Sequence, residues 1–231
     1  MAPVGEEARV AALMRILLER HPAWLILLVL SGAAYTVAPD AGLAPWIKPL
    51  PALSAAALVW LGRRAGHRTL VVALVLAAVG DVLLDFEGTA RLGTLMFAVV
   101  VSVMAVGLRP TIARPPWRGV ALAGAWALVS GLLVLSSLGD RLVSGLLVMA
   151  ATAVFLFVAG RSSVVLAAGA LLIASNFTLF AVDLVVAPMP RWLVISTYYV
   201  GLLLVAVDRT PDAPGPHPDR VDAATSSPAP R

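Results

Sequence analysis

The chain has 231 residues, 60% of them hydrophobic and only 13% charged, with a net charge of +4 and a mean hydropathy of +0.94. A soluble domain carries about 25% charged residues, so this composition excludes both a water-exposed globular surface and a disordered chain. At about 20 residues per crossing plus short loops, the length predicts an all-α polytopic membrane bundle of seven to nine helices.

Taken in chain order, residues 1–21 are read as a cytoplasmic segment. Its basic start before an apolar run has the outline of a signal peptide, but seven further apolar runs favour a retained first helix. Eight spans are predicted, at 22–38, 49–62, 69–86, 91–108, 118–137, 142–160, 162–187 and 191–207. Most run for about 17–25 residues without alternation, unlike barrel strands of about ten. The second is short and Ala-rich and is expected either to tilt little or to pack as a partly buried helix. The sixth and seventh meet in a tight hairpin at Gly160-Arg161-Ser162. The eight spans make one membrane unit over 22–207. From Asp208 to Arg231 the chain turns proline-rich, which predicts a disordered cytoplasmic tail in which His217 is solvated. No repeat of fixed period is present.

Charge orients the spans. Of the 17 basic residues, thirteen fall in one set of loops and termini: Arg9, Arg15, Arg20, Arg63, Arg64, Arg68, Arg109, Arg114, Arg118, Arg161, Arg209, Arg220 and Arg231. The other loops hold only Lys48, Arg91, Arg141 and Arg191. Basic loops face the cytoplasm, so this split predicts a cell-membrane protein with both termini cytoplasmic. The sequence has no cysteine, which removes disulfides, thiolate metal sites and cysteine nucleophiles together. No GxxxxGK, HExxH or Gly-rich βα turn occurs. Neither a metal, a cofactor nor a nucleic-acid partner is expected, and the oligomeric state is left open.

Ionisable groups at membrane depth are costly and mark function by default. Asp81 lies in the third span and Asp183 late in the seventh, while Asp85 falls at the outer end of the third, within reach of water. Ser175, Asn176 and Thr178 in the seventh span, and Ser196, Thr197, Tyr198 and Tyr199 in the eighth, are polar and uncharged. At a rise of 1.5 Å per residue, Asp81 lies about 18 Å from the cytoplasmic side and Asn176 about 21 Å, with the tyrosine pair near the same layer. Asp81, Asn176 and the tyrosines can therefore share one pocket, with Asp183 a layer higher. Asp81 and Asp85 are four apart, and Asn176 and Asp183 seven apart, so each pair shares a helix face. A structural role competes at every position: Asp81 can lock helices through a Tyr or Asn, and Asp183 can pair with Arg191 or water. Only one tyrosine is expected to face the bundle core. Lys48 opens the second span, with Pro49 in the first turn, and either snorkels to headgroups or holds a phosphate. Gly80 permits close approach beside Asp81.

In order, Lys48-Pro49, Gly80-Asp81-Val82-Leu83-Leu84, Gly169-Ala170-Leu171-Leu172 leading to Ser175-Asn176, the Pro188/Pro190 loop and Tyr198-Tyr199 resemble the YhhN-like membrane family, whose characterised members are lysoplasmalogenases. The resemblance runs over about residues 25–205. The chain departs from the family pattern at Asn176, where the family has Asp, at Val101 and Met104, where it has His and Tyr, and at Leu202, where it has Gln.

The resemblance implies hydrolysis of the vinyl ether bond of a lysophospholipid to a fatty aldehyde and a glycerophospho-base, with membrane lipids as surroundings. Such a bond is cleaved by protonation of an alkene carbon, addition of water to the oxocarbenium ion and collapse of the hemiacetal. The chemistry calls for a carboxylic acid that keeps its proton near neutral pH, which a medium of low dielectric favours, and for a group that steers water. Asp81 fits the acid. Asn176 can orient water without taking its proton, leaving Asp85 as the best substitute base and Asp183 as second choice. Lys48 fits the substrate phosphate, with Ser175, Tyr198, Tyr199 and Asp183 around the rest. A non-catalytic lipid-binding or structural member is the alternative, and a small-solute transporter ranks third for want of paired broken helices or repeats.

Overall fold

A computed structural model describes residues 15, 19, 22–37, 44–62, 67–86, 88–109, 112–134 and 142–208. Among them are nine helices and no strand: α1 (Pro22–Val37), the single turn α2 (Ala44–Ile47), α3 (Leu50–Gly62), α4 (His67–Asp85), α5 (Ala90–Leu108), α6 (Pro116–Val134), α7 (Leu142–Gly160), α8 (Val164–Val185) and α9 (Arg191–Asp208). Each predicted span corresponds to one of the eight longer helices. Five of these, α4 to α8, are long and apolar enough to cross a membrane, whereas α1, α3 and α9 carry shorter apolar stretches. The predicted N-terminal segment and the tail beyond Asp208 lie outside the described residues, Arg15 and Glu19 excepted.

The helix ends follow local chemistry. Gly88, at φ 83°, takes the left-handed conformation that other residues resist, and Thr89 Oγ1 donates to the Leu83 carbonyl at 2.7 Å, closing the α4–α5 hairpin. Ser163 caps α8 by accepting from the Leu166 amide at 3.0 Å, while its hydroxyl donates to the buried Asp208 carboxylate at 2.6 Å. One cap thereby ties the start of α8 to the end of α9. Pro116 occupies the first position of α6, where its missing N–H costs no bond.

Seven helices form a ring. In contact order they run α1, α3, α4, α5, α7, α8, α9 and back to α1, while α6 stands outside the ring against α7 and α8. The most deeply buried side chains are Leu28, Leu58, Leu70, Leu74, Met104, Leu108, Phe155, Leu156 and Leu166. Almost all lie in the helix halves next to the loops that carry Arg68, Arg109, Arg114, Arg118 and Arg161. The basic end of the bundle is therefore its close-packed end. There the Arg161 carbonyl accepts from the Ala113 and Arg114 amides at 2.9 and 2.8 Å. As expected, α3 is short and largely buried, with Ala52, Ala55, Leu58, Val59 and Ser54 fully enclosed.

Five of the six tryptophans are exposed: Trp24, Trp46, Trp60, Trp117 and Trp192. Each lies within three residues of a helix end. Trp126, midway along α6, is the buried exception at 7% exposure. Val101, Met104 and Leu202, read from the resemblance as departures, are buried in the apolar core.

Gly119 sets how closely α6 meets α7. A Cβ there would collide with the Phe157 carbonyl oxygen, and backbone cannot yield as a flexible side chain would. Gly119→Val is expected to destabilise the protein by about 1–3 kcal/mol through overpacking. Gly124→Ala, on the same helix with nothing within 4 Å of its added Cβ, should leave stability unchanged or slightly raised. Thermal melts of the two variants in one detergent check the contrast, and equal melting temperatures would refute it.

Candidate functional site

Opposite the packed end, the helices enclose a cavity of about 540 Å³. Its walls come from the last turns of α4, α6 and α8 and the first turns of α5, α7 and α9. Antiparallel helices bring these stretches to the same end, so the cavity occupies the half that holds Lys48 and Arg91. The predicted gathering of Asp81, Asn176, Tyr198 and Tyr199 is present, and Lys48, Asp85 and Asp183 line the same cavity. Ser175 does not line it. Its neighbour Asn176 takes the inward position instead.

Asp81 is 3% exposed. The Tyr198 hydroxyl donates to its Oδ2 at 3.4 Å, joining α4 to α9. Phe97 packs edge-on to Tyr198, with centroids 6.3 Å apart at 84°, and stacks obliquely on Phe177 at 5.3 Å. The space beside Gly80 is filled by the Phe97 ring, 3.2 Å from where a Cβ would stand. Asp81 thus faces one hydroxyl partner across an aromatic wall.

Both tyrosines are buried, at 7% and 6% exposure, which corrects the expectation that only one faces the core. The reason is that α9 packs on α8, α1 and α3 at once, so adjacent positions on it are covered from different sides. Tyr199 lies against Gly32 of α1, where an added Cβ would come within 2.9 Å of its ring, and its hydroxyl donates to the Lys48 carbonyl at 3.4 Å.

Lys48 does not snorkel. Its Nζ donates to Asp85 Oδ1 at 2.8 Å, with the two side chains only 16% and 21% exposed. The ion pair closes one side of the cavity mouth, and Asp85, the expected substitute base, is occupied by the ammonium. Asn176 Nδ2 donates to the Val194 carbonyl, which leaves the amide oxygen able to accept. Asp183 Oδ1 accepts from the Met189 amide at 2.7 Å and so holds the α8–α9 connection. The Arg191 side chain, its expected partner, lies outside the described residues. Ser196 and Thr197 donate to carbonyls of their own helix.

Trp126 and Ser130, which meet the predicted candidate Thr178, were not singled out from the sequence. The Trp126 indole N–H donates to Thr178 Oγ1 at 3.1 Å, and Ser130 and Thr178 share a hydrogen bond at 2.7 Å. Arg91 and Thr94 also line the cavity. One signal was available: Trp126 is a mid-span tryptophan where the others sit at helix ends, and Ser130 is one turn away on the same face. Among the described residues, no three His, Asp or Glu side chains converge as a metal-ligand set.

The half-buried Lys48–Asp85 pair should register as a measurable coupling. In a double-mutant cycle of Lys48→Gln and Asp85→Asn, the thermal stabilities are expected to be non-additive by about 1 kcal/mol. Strict additivity would mean that the pair contributes nothing.

No curated protein and no solved structure matches the chain. Residues 43–208, which include every residue of the cavity, match the model of the YhhN family, and the chain belongs to that family.

Proposed function

We propose that this chain is a multi-pass membrane hydrolase that cleaves the vinyl ether bond of lysoplasmalogens to a fatty aldehyde and a glycerophospho-base. Family membership supports the reading. The observation that carries it is one cavity with a buried carboxyl group at Asp81, an ammonium at its mouth on Lys48, and walls that are mostly apolar. That arrangement matches a substrate with a phosphate at one end, a reactive ether near it and a hydrocarbon chain beyond.

The membrane placement belongs to the same proposal. All eight longer helices cross, both termini face the cytoplasm, and the packed basic end is the cytoplasmic one. Support comes from the arginines gathered at that end and from the tryptophans. Trp24 and Trp60 belong to α1 and α3, two of the shorter apolar helices, and their exposure at helix ends suits the headgroup layer. The membrane unit is 22–207, flanked by cytoplasmic segments at 1–21 and 208–231.

In the reaction, the Asp81 carboxylic acid gives its proton to the alkene carbon, leaving an oxocarbenium ion and the Asp81 carboxylate. Water adds to the cation, and its proton returns to Asp81. The resulting hemiacetal breaks its bond to the glycerol oxygen, giving aldehyde and alcohol. The Asp81 carboxylate can receive the proton it gave, so Asn176 need only orient the water through its amide oxygen. Tyr198 holds Asp81 in place by its hydroxyl hydrogen bond. Lys48 exchanges Asp85 for the substrate phosphate.

Aldehyde release from lysoplasmenylethanolamine or its choline analogue by purified protein tests this. Asp81→Asn should lower turnover by about 10²–10⁴-fold, the range for losing a general acid, and Tyr198→Phe by about tenfold, as for one hydrogen bond. Turnover should also be slower in D₂O, because a proton is transferred to carbon. Absence of aldehyde from folded wild-type protein that still binds the lysolipid would replace this reading with that of a non-catalytic lipid-binding member.

A further inference from the structure

The cavity has an arm that the proposed chemistry does not use. Although α6 lies outside the ring, its Trp126, Ser130 and Val134 line the cavity. The space must therefore pass between α7 and α8 to reach them. Geometry explains the gap. A three-residue turn at 161–163 binds α7 to α8 at the packed end, and Gly119 presses α6 onto the Phe157 backbone at that same end. Three helices clamped at one end can separate at the other.

In the separated half, the side-chain ties of α6 run to α8. Trp126 and Ser130 bond to Thr178, and Val134 packs with Val182. On the α7 side the wall is formed by Ser144, Gly145, Val148 and Met149, small or flexible residues. In the same halves of the two helices, Leu132 of α6 and Val143 of α7 are 77% and 72% exposed, so both present apolar side chains outward there. Apart from Asp81, the ionisable groups of the cavity, Lys48, Asp85, Arg91 and Asp183, stand at or near helix ends. The arm carries no ionisable side chain, and its Ser130 and Thr178 hydroxyls are engaged with each other and with Trp126. Charge thus lies at one end of the space and uncharged wall along the arm, the polarity of a single-chain amphiphile.

We infer that this arm holds the hydrocarbon chain of a single-chain phospholipid and opens sideways into the bilayer between the far halves of α6 and α7. The occupant rests on the proposed function, which supplies the lysophospholipid headgroup at the mouth. An open arm limits chain length from below only. Chains too short to reach it bind at the mouth alone, and longer ones extend past the seam into surrounding lipid.

Two measurements on the full-length protein in lipid nanodiscs test the inference. In the first, a lysophosphatidylcholine bearing a diazirine at the end of an 18-carbon chain is photolysed and the adducts are mapped by mass spectrometry. Adducts on the α6 and α7 residues flanking the seam are expected, and adducts confined to other helices would overturn the arm. In the second, Gly145→Trp fills the α7 wall. It should weaken binding of the 18-carbon lysolipid at least tenfold and leave an 8-carbon analogue unchanged. Equal loss for both chains, or none for either, would also overturn it. Should that variant not fold, the photolabelling on wild-type protein still decides. Seam adducts without aldehyde release would sink the enzymatic reading and keep the arm, whereas no binding of either probe by wild-type protein overturns both.

Discussion

Hydrocarbon cannot hydrogen-bond, so a carboxyl group placed among membrane-type helices must find its partner within the protein. Asp81 finds Tyr198, 117 positions along the chain. That single requirement constrains much else. It brings the end of α4 to the start of α9, although the two helices are not neighbours in the ring, and so fixes the width of the space between them. Phe97 and Phe177 fill one side of that space and leave the other open. The Tyr199 hydroxyl, bonded to the Lys48 carbonyl, carries the constraint to the mouth, where the Lys48 side chain reaches Asp85.

The bundle divides its labour along its axis. At the basic end, side chains such as Phe155, Leu70 and Leu166 are fully enclosed, and glycine lets backbones touch. Packing of that density contributes most of the apolar burial that holds helices together. The opposite end keeps a cavity at the cost of those contacts. It is stabilised instead by specific bonds: the Lys48–Asp85 pair, the Trp126–Thr178–Ser130 cluster and the Asp183 cap on the α8–α9 connection. Few buried apolar contacts are a feature of segments that open most readily. Val101, Met104 and Leu202, read from the sequence resemblance as departures, fall in the apolar core and outside the cavity wall, whereas Asn176 falls within the wall.

All eight longer helices were legible as apolar runs, because a bilayer-length stretch of Val, Leu and Ala is the strongest signal a sequence carries. Helix depth was legible too, since 1.5 Å per residue placed Asp81, Asn176 and the tyrosines in one layer. Orientation around each helix axis was harder. Hydrophobic residues cover all faces of these helices, so periodicity does not say which side turns inward. That is why Ser175 and Asn176 were not separated and why both tyrosines proved to be buried. Order around the ring was hidden as well. Nothing in the α6 sequence states that it stands outside α7 and α8, and its contribution to the site depends on that position. The partner of Lys48 was hidden for a different reason: Asp85 lies 37 residues away, joined through the α3–α4 hairpin.

The exposed tryptophans have a consequence for how a ligand would travel. Trp46 in α2 and Trp192 at the start of α9 stand at the end of the bundle that holds the cavity, and indole side chains settle at the level of lipid headgroups. On the proposed membrane placement they would hold that end at the height of the polar part of a neighbouring lipid. Lifting a lipid out of a bilayer exposes its chain to water at about 0.8 kcal/mol for each methylene. A cavity pinned at headgroup height would avoid that vertical extraction, and capture of the proposed substrate would become a two-dimensional encounter governed by lateral diffusion and surface density rather than by aqueous concentration.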